Sequence, residues 1–142
     1  MWEYTFTRRR VGEPTRQITC AADAHAQLRD AFDGAETERV VVAALDRKQK
    51  PLGRETVYVG TVAGATIRIA ELFRMAIRLN ASAIVIAHNH PSGDPTPSAD
   101  DLRTTRDAIA AGTLLGIEVL DHIVLGDHKR WVSLGEMATR RR

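Results

Sequence analysis

Residues 83–101 read AIVIAHNHPSGDPTPSADD, and this stretch decides the architecture of the chain. Residues 83–87 form a short, continuous apolar run, which is typical of a strand buried on both faces. Residues 89–97 hold three prolines and one glycine and are therefore predicted to form a loop. Ser98 then begins a long helical pattern. A buried strand, a stiff loop and a helix in this order indicate one unit of an α/β domain.

The same alternation of strands and helices extends to both sides of this unit. Before it, the apolar spacing predicts a helix, a buried strand, a second strand paired with the first as a hairpin, and an amphipathic helix, over residues 21–32, 40–45, 56–61 and 67–79. The segment between the hairpin strands, residues 46–53, is predicted to be a charged turn. After it, the helix is predicted to end near Gly112 or Gly116, and strands follow over residues 117–125 and 131–133. The expected fold class is α/β, with a central sheet and helices packed on it.

The chain length limits the number of domains. A chain of 142 residues with 44% hydrophobic and 27% charged residues fits one globular domain. We expect residues 1–20 to form an N-terminal arm or an edge strand, residues 21–138 to form the folded domain, and residues 139–142 to form a basic tail.

Composition and charge exclude several classes of protein. The single cysteine, Cys20, rules out a disulfide within the chain. No apolar run is long enough to span a membrane, and the N-terminus lacks the apolar region of a signal peptide, so a cytoplasmic location without membrane contact is expected. The net charge is +2, and arginines cluster at residues 8–10 and 140–142. A solvated arm and tail are favoured over a nucleic-acid patch, because no aromatic residues alternate with the arginines of the tail.

Two histidines and one aspartate have the spacing of metal ligands. His88 and His90 follow the buried strand and are separated by one residue, so both side chains point to the same face. They lie at the carboxyl end of a strand, where open α/β sheets place their sites. Asp101 comes eleven residues after His90, in the first turn of the next helix. Two imidazoles and a carboxylate suit Zn²⁺ with one open position for water, and zinc lowers the pKa of bound water to about 7.

The same residues also have structural explanations. Ser98 and Asp101 match a capping box. In this motif the side chain of the serine at the helix start bonds the backbone N–H of the acid three residues later, and the side chain of the acid bonds the backbone N–H of the serine. Either histidine alone is more often structural than a ligand. The contiguous letters His88-Asn89-His90 do not support the nuclease motif of that name, which spreads its residues over a longer segment. From the spacing alone, a metal site and a structural reading remain equally supported.

The wider motif resembles a known superfamily. His88-x-His90, seven residues, Ser98, two residues and Asp101 is similar to the JAMM pattern of the JAB1/MPN metalloproteases, and residues 88–98 resemble the RadC family within it. The resemblance covers roughly residues 21–137 and includes three flanking strings, Glu71-Leu72-Phe73, Asn80-Ala81 and Leu120-Asp121-His122.

This resemblance implies both a fold and a chemistry. The fold is a single JAB/MPN-like domain with a central mixed β-sheet flanked by helices, similar to that of cytidine deaminases. The activity is that of a zinc metallopeptidase or isopeptidase, with one Zn²⁺ per chain held by His88, His90 and Asp101, and with a peptide or protein substrate. Glu38 is implied to be the general base that acts on the zinc-bound water. Ser98 is implied to stabilise the developing oxyanion.

Several alternatives stay open. Glu36 and Glu55 are further candidates for the base. The chain is also consistent with a DNA-associated module, or with a nuclease that uses the same zinc chemistry on phosphate. A site of two histidines and one carboxylate can hold Fe(II) as well, although Ser98 and Glu38 fit hydrolysis better. His122 is expected in the core or supporting a ligand, and His25 is expected to be exposed.

Overall fold

The computed structural model describes residues 1–9, 16–60, 67–127 and 129–135. Three α-helices are found in these residues: α1 (Ala21–Leu28), α2 (Ile69–Arg78) and α3 (Ala99–Leu115). A 3₁₀ turn, Arg29–Phe32, continues α1. The strands are β1 (Glu38–Leu45), β2 (Pro51–Gly60), β3 (Ala83–Asn89), β4 (Glu118–Leu125) and β5 (Trp131–Ser133).

The five strands form one mixed sheet in the order β2-β1-β3-β4-β5. β1 and β2 form the predicted hairpin, and β1 also pairs antiparallel with β3. β3 and β4 are parallel, and the crossover that a parallel pair requires is α3. β5 closes the sheet as an antiparallel edge. The expected α/β fold class is confirmed: the chain has a mixed five-stranded sheet flanked by three helices, consistent with a JAB/MPN-like fold.

The sheet buries both of its faces, which explains the apolar runs of its central strands. Alternate residues of β1 and β3 point to opposite faces. One face packs against α2 and α3 through a cluster that includes Val40, Val42, Ile84, Ile86, Leu72, Phe73 and Ala108. The other face packs against α1 through Ala43, Leu45, Val85, Ala87, Ile123, Ala24 and Leu28. Every residue of β3 is buried, as the continuous apolar run predicts.

Several boundaries differ from the predicted ones. β2 begins at Pro51, inside the segment predicted to be a turn. Proline is tolerated there because β2 is an edge strand, whose outward N–H groups need no partner in the sheet. β1 begins at Glu38 and β3 continues to Asn89, so β1 is two residues longer than predicted at its start and β3 is two residues longer at its end. The last turn of the first predicted helix is 3₁₀.

The ends of the chain are described only in part. Residues 1–9 and 16–19 have neither helix nor strand. Arg10, Thr61, His128 and the predicted basic tail lie outside the described residues. In the part of the chain that is described, no helix has the length and apolar character needed to cross a membrane.

Candidate metal centre

The sheet brings His88 and His90 to one point at the carboxyl end of β3. His88 has the same parity as Ile84 and Ile86, so its side chain lies on the face covered by α2 and α3. It is almost fully buried, at 2% exposure. His90 follows β3 directly, and its N–H donates to the carbonyl of Leu125 on β4. The two rings lie with their centroids 5.0 Å apart.

Asp101 reaches the histidines because the start of α3 is capped. Ser98 is the N-cap: its Oγ accepts from the Asp101 N–H at 3.1 Å, and Asp101 Oδ2 accepts from the Ser98 N–H at 2.8 Å. The same carboxylate contacts both rings, with Oδ1 3.1 Å from His88 Nε2 and Oδ2 3.0 Å from His90 Nε2. The capping box and the cluster therefore coexist, and the cap fixes the orientation of the carboxylate.

The three side chains are spaced like the ligands of one small cation. The two Nε2 atoms lie 3.1 Å apart, and the carboxylate oxygens lie at similar distances from them. Zinc binds such atoms at about 2.0–2.1 Å, so the edge of its coordination tetrahedron is roughly 3.3 Å. In the described part of the chain, His88, His90 and Asp101 form a group that could hold a metal ion.

The hydrogen bond on the far side of His90 fixes its tautomer. His90 Nδ1 lies 2.8 Å from the backbone carbonyl of Asp94, in the loop before α3. A carbonyl oxygen can only accept a hydrogen bond, so Nδ1 carries the proton and donates it. The Nε2 atom of a neutral His90 then presents a lone pair to the cluster.

His88 also has hydrogen-bond partners on the side of its ring that faces away from the cluster. His88 Nδ1 lies 2.7 Å from His122 Nε2, and His122 Nδ1 lies 2.6 Å from Thr105 Oγ1. The Thr105 hydroxyl donates to the backbone carbonyl of Asp101 at 2.7 Å. Burial, followed by the charge of His88, lowers the pKa of His122 to about 3, so His122 is neutral. The sequence placed His122 in the core or behind a ligand, and the structure places it directly against one.

The protonation state of the Asp101 carboxylate favours a positive ion at the centre of the cluster. Burial alone would raise the pKa of Asp101, but the hydrogen bond and charge of His88, the N–H of Ser98 and the charge of His90 hold it well below its ordinary value. The carboxylate of Asp101 is therefore ionised, and it faces two imidazole Nε2 atoms that offer lone pairs to a metal when the rings are neutral. Positive charge at the centre of the cluster, from a proton or from a metal ion, stabilises this arrangement. The residues present thus fit a divalent metal, and their N₂O donor set suits zinc.

Glu38 joins the cluster through the register of two strands. Val40 pairs with His88 across the antiparallel β1–β3 pair, and Glu38, two residues earlier, points to the same face. Its Oε1 lies 3.9 Å from His88 Nε2, and its side chain is 44% exposed. Of the alternatives, Glu55 is bonded by Arg74 Nε at 3.0 Å, and Glu36 is an exposed residue that precedes β1.

Asn89, between the two histidines, clamps the chain on both sides of Glu38. Its side chain points away from the cluster, because alternate residues of a strand face opposite sides. Its Oδ1 accepts from the Arg39 N–H at 2.7 Å, and its Nδ2 donates to the Thr37 carbonyl at 3.1 Å. The amide thereby continues the pairing of β1 with β3. The sequence analysis missed this contact, since no local pattern reports a partner fifty residues away.

We expect Asn89→Ala to lower the free energy of unfolding by about 1–3 kcal/mol, because it leaves the Arg39 N–H and the Thr37 carbonyl without their partners. Denaturant unfolding of the metal-free protein measures this change. Ser92→Ala, at an exposed position of the adjacent loop, is the control and should change stability by less than about 0.5 kcal/mol. Equal stability of the two variants would contradict the clamp.

A cavity of about 730 Å³ lies next to Asn89 and His90. It lies beside α1 and the ends of β3 and β4, and its walls carry both charges, with Arg29, Asp33, Asp127, Lys129 and Arg130 among the lining residues. His25, also in its wall, was predicted to be exposed but is half-buried and stacks on Trp131 with the ring centroids 5.1 Å apart. Glu38, His88 and Asp101 are not among these described lining residues, so the cavity meets the cluster only at His90.

Comparison with known proteins gives a consistent result. The family profile described as "RadC-like JAB domain" matches residues 18–139. A UPF0758 protein of Roseiflexus castenholzii is 44% identical over 125 residues, which are 88% of this chain and 53% of the relative. A UPF0758 protein of Chloroflexus aggregans is 44% identical over 119 residues, 84% of this chain and 52% of the relative. One from Methanosarcina acetivorans is 36% identical over 124 residues, 87% and 54% of the respective chains. The chain spans about half the length of these curated relatives.

Proposed function

Because this chain belongs to the RadC-like JAB domain family, we propose that it is a metal-dependent hydrolase, and more narrowly a zinc metallopeptidase or isopeptidase. One observation carries the proposal. Three potential ligand atoms of His88, His90 and Asp101 converge on one point, and the carboxylate of Glu38 lies 3.9 Å from one of them. A cation site with an adjacent carboxylate that contacts solvent is the minimal arrangement for hydrolysis by an activated water.

The three ligand side chains would hold the metal, and the remaining residues would handle protons. Zinc bound there would supply a Lewis acid and lower the pKa of a water molecule to about 7. Glu38 accepts a proton from the attacking water and then delivers it to the leaving amine. Its partly exposed position at the start of β1 gives its carboxylate access to both water and substrate.

We expect the Ser98 hydroxyl to act as the oxyanion donor. Its Oγ accepts from the Asp101 N–H, so the hydroxyl proton is available to donate in another direction. A substrate carbonyl that enters beside the cluster gains negative charge as it is attacked, and a hydrogen bond that strengthens at that moment lowers the barrier. Ser98 thus begins α3 and donates to the substrate at the same time.

The need to protonate the leaving group favours an amide over a phosphodiester. Charge alone does not separate the two substrates, because a divalent metal held by His88, His90 and Asp101 would offset the negative charge of the carboxylates of Asp101 and Glu38. A peptide or isopeptide bond is neutral and also needs a proton for its leaving amine, which Glu38 supplies.

Activity profiling tests this proposal. The zinc-loaded protein is incubated with a peptide library, with lysine-branched isopeptides and with single- and double-stranded DNA. We expect cleavage of an amide bond that stops when a chelator removes the metal and returns when zinc is added. Cleavage of DNA alone would replace the peptidase with a nuclease. Absence of metal-dependent cleavage of every substrate would overturn the hydrolase.

A further inference from the structure

A buried row of hydrogen bonds runs behind the metal centre and belongs to no part of the proposed reaction. It connects His88 on β3, His122 on β4 and Thr105 on α3. All three residues are buried, with exposed fractions of 2%, 3% and 8%. Water therefore cannot readily replace any of these side chains as a hydrogen-bond partner.

We propose that Thr105 and His122 are positioning residues that fix His88 in its metal-binding tautomer, an inference that rests on the metal site of the proposed function. Thr105, at the end of the row away from the metal centre, sets the direction in which the hydrogen bonds are donated. Thr105 has one hydroxyl proton, which it donates to the backbone carbonyl of Asp101. Its oxygen must then accept from His122 Nδ1. His122 Nε2 is left as an acceptor for His88 Nδ1, and His88 Nε2 keeps its lone pair for the metal.

Hydrogen bonds donated in the opposite direction along the row would place a proton on the His88 atom that binds the metal. If His122 carried its proton on Nε2, it would donate to His88 Nδ1, and the proton of His88 would move to Nε2. That proton would point at His90 Nε2 and Asp101 Oδ1, each 3.1 Å away. A metal would have to displace it before binding. The Thr105 hydroxyl prevents this arrangement because the carbonyl beyond it can only accept.

The row also links two of the three ligands. Thr105 lies four residues after Asp101 on α3, and its hydroxyl bonds the carbonyl of that same aspartate. The Asp101 carboxylate in turn contacts His88 Nε2. His88, His122, Thr105 and Asp101 therefore form a closed ring of contacts, so a displacement of α3 relative to the sheet would disturb both ligands together. Partners of this kind typically change metal affinity by about 10- to 100-fold when they are removed.

Zinc affinity, measured by competition with a chromophoric chelator, tests the inference without requiring a substrate. Thr105→Val keeps the shape of the side chain but removes the hydroxyl, and we expect it to weaken zinc binding by about 10- to 100-fold. Thr105→Ser keeps the hydroxyl and should restore most of the affinity. Thr113→Val is the matched control, because Thr113 makes the same hydrogen bond to a carbonyl four residues earlier, that of Ile109, at an exposed position of the same helix.

Nitrogen NMR of the histidine rings provides a second readout that a merely structural role would not move. In the metal-free wild type at neutral pH, His88 should be protonated on Nδ1, and Thr105→Val should raise the fraction protonated on Nε2. If the valine variant does not fold, the serine variant and the wild-type tautomer still decide the question. A wild-type His88 that carries its proton on Nε2 overturns the proposal.

The two proposals fail in different ways. Wild-type zinc affinity in Thr105→Val would overturn the positioning role and leave the hydrolase intact. If the wild type binds no zinc although His88 is protonated on Nδ1, the metal site is overturned. The tautomer of His88 then has no effect on zinc affinity.

Discussion

The Glu38→Gln protein should hydrolyse its substrate about 10²- to 10⁴-fold more slowly than the wild type and still hold one zinc per chain. Glutamine has the size of glutamate but no carboxylate that can take a proton from water. Glu38 lies 3.9 Å from the nearest ligand nitrogen, outside the group of His88, His90 and Asp101. The substitution therefore removes proton transfer and leaves the ligands unchanged. The rate is measured at saturating substrate, and the metal is measured by elemental analysis of the same sample.

Two further Glu→Gln variants provide the controls. Glu55, bonded to Arg74, and Glu36, exposed before β1, were the alternative bases, and we expect both variants to retain wild-type activity. If Glu36→Gln is inactive and Glu38→Gln is active, the base must be reassigned. If all three variants remain active, a glutamate base in this region is excluded.

The double variant His88→Ala, His90→Ala should lose the metal altogether. The expected zinc content falls from about one per chain to near zero, because a single carboxylate cannot replace two imidazole ligands. Because the double variant does not bind zinc, adding zinc should no longer stabilise its folded state. A metal that binds only the folded state stabilises it by about 2.7 kcal/mol at a concentration of 100 Kd, so zinc should raise the melting temperature of the wild type only.

His25→Ala is the control for this loss of metal. His25 lies on α1 and stacks on Trp131, so its removal affects packing and leaves the cluster complete. We expect this variant to bind zinc like the wild type. Wild-type protein that stays metal-free at full zinc supply would contradict the site itself, while equal zinc content in the wild type and the double variant would place the metal elsewhere.

The sequence alone determined the features that depend on neighbouring residues. The apolar run of β3 required a strand buried on both faces, and the prolines after it required a loop. Ser98 and Asp101 closed a capping box at the start of α3, as their spacing predicted. His88, His90 and Asp101 lie within fourteen consecutive residues, so one strand, one loop and one helix start suffice to bring them together. The spacing of these residues is equally consistent with a helix cap and with a set of metal ligands. In the structure the Asp101 carboxylate contacts both the Ser98 N–H of the cap and the two histidine rings.

The tertiary structure alone decided the contacts between distant segments. Glu38 lies fifty residues before His88 in the sequence, and only the antiparallel register of β1 with β3 brings its carboxylate to the cluster. The clamp by Asn89 depends on the same register. The contact of His122 with His88 depends on the parallel pairing of β3 with β4, and the hydroxyl of Thr105 depends on how α3 packs over that pair. Strand register and helix packing are set by the fit of the whole core, which a local sequence pattern does not encode. For this reason the sequence could indicate the three candidate ligands, whereas the position of the candidate base and the hydrogen bonds behind His88 required the folded chain.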